Sequence, residues 1–227
     1  MIRAVIFDLD NTLLDFIKMK EMGVRAGIKA MIEAGLDETE DDAYEFIFKL
    51  YEKKGWENQT VFDEYLKNKI GRVDYKYLAA GIVAYRRAKE ANLSVYPNVR
   101  RTLLTLIKSG IKLAIVSDAP SREAWMRICY LNIHHIFDVV LTFDDTKVHK
   151  PSPVPFKMAL NQLAVKADEV IMVGDWPERD MVGAKQVGMK TIFARYGDGF
   201  NTKSSGADWD VDDIYEIVGI VNELNNG

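Results

Sequence analysis

The chain has 227 residues, with 30 basic and 34 acidic side chains, a formal net charge of −4 and no clustering of its lysines and arginines into a stripe. That distribution speaks against DNA or RNA as a partner. No apolar run approaches the roughly 20 residues that span a bilayer, and the N-terminal run is too short for a signal peptide, so a soluble cytoplasmic protein with no membrane partner is expected. The single cysteine, Cys129, has no partner for an internal disulfide. It falls in the apolar pattern Trp125, Ile128, Cys129, which predicts that it fills core space.

Ala4-Val5-Ile6-Phe7 is a short apolar run that ends in Asp8, Leu9 and Asp10, followed by Asn11 and Thr12. Such runs suit strands buried on both faces of a parallel sheet. Ligands of these sheets gather beyond the carboxyl ends of the strands, where Asp8 and Asp10 stand. Their charges would repel unless a cation, a proton or a basic side chain lay between them, and a divalent metal fits. Residues 16–93 then read as helix throughout. Ala43, Phe46, Ile47, Leu50 and Tyr51 form an amphipathic stripe, as do Val61, Phe62, Tyr65, Leu66 and Ile70, with further helices predicted over 17–34 and 75–91. A helical block inserted between the first strand and the rest of the sheet is expected to act as a lid over that strand's site.

From Pro97 onward helical and strand patterns alternate, the mark of a layered α/β sheet. Pro97 opens a helix carrying Val99, Leu103, Leu104 and Ile107, and Gly110 closes it. The second strand, Lys112 to Val116, ends at Ser117-Asp118. Ser121 is placed to cap a helix bearing Trp125, Ile128 and Leu131, and Val139-Val140-Leu141 reads as the third strand. A helix marked by Phe156, Ala159, Leu160 and Leu163 leads to a fourth strand, Val170 to Val173, that stops at Gly174-Asp175. Thr191 to Ala194 makes the fifth; 197–206 reads as a surface loop and 212–224 as helix.

Polar features thus follow four strands on one side of the inferred sheet. Asp8 and Asp175 supply hard anionic oxygens for Mg²⁺, which prefers oxygen ligands. Ser117 and the backbone amides of Asp118 and Ala119 can donate to phosphoryl oxygens, and Lys150 adds a positive charge. Asp8 is placed to attack phosphorus and Asp10 to protonate the leaving alcohol. Asp180, near the next helix start, could cap that helix or orient metal ligands.

Read together, these residues resemble the haloacid dehalogenase-like hydrolase superfamily over nearly the whole chain. Its motifs are matched in order by Asp8-Leu9-Asp10-Asn11-Thr12, by Ser117, by Lys150, and by Gly174-Asp175 with the later Asp180. The resemblance implies Asp8 as nucleophile and metal ligand, and Asp10 as acid/base and a ligand through its backbone carbonyl. It implies that Asp175 and Asp180 complete the Mg²⁺ site. It also implies a Rossmann-like sheet of order 5-4-1-2-3, with a core of 1–15 and 94–227 and an all-helical cap of 16–93. One departure is Asp118, where the family often has Asn; an acid beside a dianion's site is expected to point away or be paired.

Asp10 favours phosphate monoester hydrolysis over 2-haloacid dehalogenation, because a halide leaves without a proton and an alkoxide does not. A phosphomutase would carry the same residues. A receiver-like phosphoacceptor also uses clustered acids, a hydroxyl and a lysine, but has no helical insert after its first strand. The expectation is a Mg²⁺-dependent phosphatase acting on a small phosphorylated metabolite, of the sugar or triose phosphate class, through an aspartyl-phosphate. Phe16, Lys18 and Lys20 are candidates for substrate contact; their alternative reading is packing for Phe16 and solvent exposure for the lysines. His134, His135 and His149 are not spaced as a metal set. Oligomeric state is not written in any of these patterns.

Overall fold

Four apolar residues with no polar break leave Ala4–Phe7 without an exposed face, and they form β1 with every side chain buried. The computed structural model describes residues 1–227 and adds β2 (Lys112–Val116), β3 (Val139–Leu141), β4 (Val170–Gly174), β5 (Lys190–Ala194) and β6 (Trp209–Val211). The sheet order is β3-β2-β1-β4-β5-β6, and all pairings are parallel. Phe7 lies opposite Ile115 on one side and Val173 on the other, so β1, β2 and β4 release their chains at one edge of the sheet. The first five strands stand in the expected order. The sixth was not anticipated: Trp209-Asp210-Val211, flanked by Asp208 and Asp212, is too short and too polar to show a strand pattern.

The chain divides into two compact units, Met1–Asp15 with Ser94–Gly227, and Phe16–Leu93. The first contains the sheet with α5 (Val99–Lys108), α6 (Ser121–Tyr130), α7 (Phe143–Thr146), α8 (Pro153–Leu163), α9 (Asp180–Gln186) and α10 (Glu216–Asn226). Phe156, Ala159 and Leu163 of α8 pack with Ala184 of α9 on Ile6, Ala114 and Met172 of the sheet. Pro153 takes the first turn of α8, where its missing N–H is harmless, and the Ser152 hydroxyl accepts from the Val154 amide.

Several expectations about helix faces need correction. Helix α5 buries Val99, Leu103 and Leu106, whereas Leu104 and Ile107 face outward. Helix α6 buries Ala124, Arg127 and Ile128, which turns Trp125 out and leaves Cys129 exposed rather than filling core space. Ser121 is the first residue of α6 and not its cap; its Oγ lies 2.6 Å from Thr142 Oγ1. The last helix begins at Glu216, because the amides of Asp212 and Asp213 are bonded to the Glu216 carboxylate in a turn after β6.

The second unit is all helical, with α1 (Phe16–Glu33), α2 (Glu40–Lys54), α3 (Val61–Ile70) and α4 (Tyr75–Ala91). Val24, Ile28, Ile47, Phe62, Leu66 and Leu78 anchor its core. A Cβ on Gly27 would press on the Phe62 ring and the Gly81 carbonyl, so a glycine there permits the close approach of α1 and α4. Phe16 packs edge-on against Trp56, at 6.4 Å between ring centroids. Lys18 is exposed, but Lys20 is 2% exposed, with Nζ 4.3 Å from the Tyr51 ring centroid and 3.1 Å from Tyr85 Oη. The solvent-exposed reading of Lys20 is therefore wrong: tyrosine faces and a hydroxyl replace water around its ammonium. No helix is long and apolar enough to cross a membrane.

Candidate active site

Because β1 and β4 are neighbours in register, Asp8 and Asp175 leave the sheet side by side, and the Asp8 amide donates to the Val173 carbonyl at 2.9 Å. Asp180 opens α9 and turns back toward them, its Oδ2 accepting from the Trp176 amide at 3.2 Å. A Cβ on Gly174 would collide with the Asp180 carboxyl, so the glycine that ends β4 is what lets that carboxyl lie against the backbone. Asp8, Asp175 and Asp180 are all buried, and each offers an oxygen within 4.8 Å of the others. Lys150 Nζ closes the group, donating to Asp8 Oδ1 at 2.7 Å, Asp180 Oδ1 at 2.6 Å and the Val116 carbonyl at 3.1 Å. Thr12 Oγ1 donates to Asp175 Oδ1 at 3.0 Å and so fixes that carboxylate.

Three buried carboxylates facing one ammonium are out of electrical balance, and the titration of the group reflects it. Burial, then Asp8 and Asp180, push the Asp175 carboxyl well above the usual aspartate range. Burial raises Asp180 to about 7 against the opposing pull of Lys150. Burial alone would lower Lys150, but Asp180, Asp8 and Asp118 hold its ammonium above the usual lysine range. An all-oxygen anionic set with surplus negative charge fits a hard divalent cation, and Asp8, Asp175 and Asp180 could hold one.

A pH dependence follows. Unfolded aspartates ionise near about 3.9, whereas folded Asp180 and Asp175 keep their protons to higher pH, so between those values the folded state binds more protons than the unfolded one. Their contribution to stability is therefore present at low pH and lost as pH rises through the folded values. The melting temperature in EDTA is expected to fall from about pH 5 to about pH 8, and Mg²⁺ to restore it at the upper end. A profile that rises or stays flat across that window, with no response to Mg²⁺, would contradict the charge imbalance.

The remaining candidates lie around this group. Ser117 ends β2 and is buried; its Oγ accepts from the Ala119 amide at 3.2 Å, so that amide already has a partner. Asp118 is paired: its carboxylate accepts from the Lys150 backbone amide at 2.9 Å and from Arg179 Nη1 at 3.0 Å. Arg179 in turn lies 3.8 Å over the Trp176 ring. Asp118 thus ties the loop bearing Lys150 to the loop bearing Asp175 through its side chain. Asp180 does not cap α9; it is the first helical residue, and its carboxylate is committed to Lys150 and Trp176. The Asp10 side chain stands outside the three-carboxylate group, with Oδ2 taking a hydrogen bond from Arg127 Nη1 at 2.7 Å.

Arg127, the anchoring role of Thr12 and the contact at Gly197 escape a reading of the sequence for site residues. Gly197, expected in a surface loop, is buried, and a Cβ there would run into the Asn11 carbonyl in the loop after β1. Arg127 did leave a trace, since Ala124, Arg127, Ile128 and Leu131 follow the i, i+3, i+4, i+7 stripe with a cation inside it.

Residues 5–194 match the family described as haloacid dehalogenase-like hydrolase. A glyceraldehyde 3-phosphate phosphatase of Methanocaldococcus jannaschii is 33% identical over 227 residues, covering 99% of each chain. Another protein of that name, from Pyrococcus furiosus, is 37% identical over 196 residues, covering 86% of this chain and 82% of its own. Among solved structures, a phosphatase of the same superfamily from Thermococcus onnurineus superposes with a TM-score of 0.68 at 27% identity, covering 97% of this chain and 98% of its own.

Proposed function

The chain belongs to the haloacid dehalogenase-like hydrolases, and we propose that this phosphatase hydrolyses a small phosphomonoester of the triose or sugar phosphate class, with Mg²⁺ as cofactor and glyceraldehyde 3-phosphate as the first candidate substrate. The observation that carries the reading is the buried group of Asp8, Asp175 and Asp180 closed by Lys150. The names of the full-length relatives support the substrate class. Metabolism in the cytoplasm is the setting that such a substrate implies.

Asp8 Oδ1 accepts from the Lys150 ammonium, and its other carboxylate oxygen attacks phosphorus in line. The phosphorus–oxygen bond to the substrate alcohol breaks as Asp10 supplies the proton, leaving a phosphoryl group on Asp8. Asp10, now a base, takes a proton from water as that water attacks the phosphoryl group and frees Asp8. The Ser117 hydroxyl donates to a phosphoryl oxygen, the Lys150 ammonium, whose three N–H groups go to Asp8, Asp180 and Val116, adds positive charge beside it, and Thr12 and Asp118 keep Asp175 and Lys150 in place. A cation bound by Asp8, Asp175, Asp180 and the Asp10 carbonyl would offset carboxylate repulsion and neutralise charge on the phosphoryl oxygens.

The test is inorganic phosphate release from glyceraldehyde 3-phosphate, phosphoglycolate, hexose phosphates, a nucleoside monophosphate and p-nitrophenyl phosphate, with Mg²⁺ and with EDTA. Release that needs Mg²⁺ and is greatest with a triose phosphate is expected. Absence of release from every monoester would overturn the reading. Asp10→Asn is expected to slow hydrolysis of alkyl phosphates by about 10²-fold to 10⁴-fold, the range for a lost acid/base, and an unchanged rate would mean that the proton comes from elsewhere.

A further inference from the structure

Helix α6 buries a guanidinium beside Glu123, Ala124 and Ile128; Arg127 is 1% exposed and ranks among the largest fully buried side chains of the protein. Burying that charge is expensive, and an apolar side chain of similar volume usually serves stability as well or better. What the arginine reaches is Asp10: Nη1 donates to Oδ2 at 2.7 Å, with the arginine side chain 2% exposed and the aspartate 23%. The two residues are far apart in sequence and come from different layers, one from the loop after β1 and the other from a helix after β2.

We propose that Arg127 is the positioning residue for Asp10, holding its carboxyl in the orientation from which it exchanges a proton with the leaving alcohol and with water. The proposal rests on the acid/base role given to Asp10 above. Oδ2 accepts from Arg127, so Oδ1 is the oxygen that carries the proton. On protonation of Oδ1 the other oxygen is still an acceptor, so the bond to Arg127 persists through both half-reactions and the carboxyl does not swing as its charge changes. Arginine suits this task better than lysine, because a planar guanidinium fixes direction as well as distance.

The experiment compares wild type, Arg127→Met, Arg127→Lys and Asp10→Asn on two substrates, an alkyl phosphate and p-nitrophenyl phosphate, with a cooperative thermal melt as evidence of folding. An alkoxide needs a proton to leave; p-nitrophenolate scarcely does. Arg127→Met is expected to lower kcat/KM, which reports phosphoryl transfer to Asp8 and not the later hydrolysis common to both substrates, by about 10-fold to 100-fold for the alkyl phosphate, the scale of a misplaced catalytic group, with a several-fold smaller loss on p-nitrophenyl phosphate. Arg127→Lys should recover part of the lost rate. A purely structural role would depress both substrates alike, and that result, in either variant that melts cooperatively, overturns the proposal. Equal loss of kcat/KM on both substrates in Asp10→Asn would instead overturn the role of Asp10 as acid toward the leaving alcohol. A leaving-group effect in Asp10→Asn but not in the Arg127 variants would reject the positioning role alone. If Arg127→Met does not fold, Arg127→Lys decides by the same comparison.

Discussion

Replacement of Asp8 by Asn is expected to reduce turnover by about 10⁴-fold or more, the scale on which losing a nucleophile acts in hydrolases that form a covalent intermediate, without loss of the fold. The amide keeps the shape of the carboxylate, and its oxygen can still accept from Lys150, which now donates to Asp8 Oδ1 at 2.7 Å. What the amide lacks is a nucleophilic oxygen. Electrostatics points the same way for stability: Asp8 is one of the charges that raise Asp175 and Asp180, so its removal relieves repulsion in a buried group. The metal-free variant should melt at or above the wild-type temperature, and its response to Mg²⁺ should weaken. Phosphate release and a melt in EDTA check both halves. Turnover within tenfold of wild type would remove Asp8 as the nucleophile, and a large fall in melting temperature would make the lost activity a folding effect.

Legibility in the sequence follows how local each physical cause is. Strands β1, β2 and β4 can be read directly, because a strand buried on both faces must be apolar throughout and must end where polarity begins. That end is also where parallel α/β sheets in general gather their ligands, and where β1 and β4 here bring Asp8 and Asp175 together. The same rule picks out Asp8, Ser117 and Asp175. The parts that escape depend on partners distant in sequence. β6 exists because the edge of β5 accepts three residues, not because Trp209-Asp210-Val211 prefers to be extended. Helix α6 was expected to bury Trp125 and Cys129, yet its buried face carries Ala124 and Ile128 together with Glu123 and Arg127, the latter bonded to Asp10. Lys20 is buried for a related reason, since aromatic rings from other helices of its unit supply what water would have supplied. In each case the residue type misleads because a specific long-range partner overrides its ordinary preference.

Lys150→Met should move stability in the opposite direction to Asp8→Asn. Lys150 is the cation that closes the group, within 2.7 Å of Asp8 and 2.6 Å of Asp180, and all of these side chains are buried. Removing one partner of a buried ion pair leaves uncompensated charge and costs about 3–5 kcal/mol, far more than an exposed pair would. Urea denaturation in EDTA at about pH 8 is expected to show a loss of that size. At about pH 5 the loss should shrink, because Asp175 and Asp180 already favour their protonated forms and can neutralise themselves. Mg²⁺ should recover much of the stability at about pH 8 and bind more tightly than to wild type, since the ammonium no longer competes for the same oxygens. Turnover should nonetheless fall by about 10²-fold under the proposed mechanism, because tighter metal binding does not replace the positive charge that Lys150 would place beside the phosphoryl group. An unchanged urea midpoint at both pH values would mean that the three carboxylates are never ionised together, and the case for a divalent cation among them would lose its electrostatic basis.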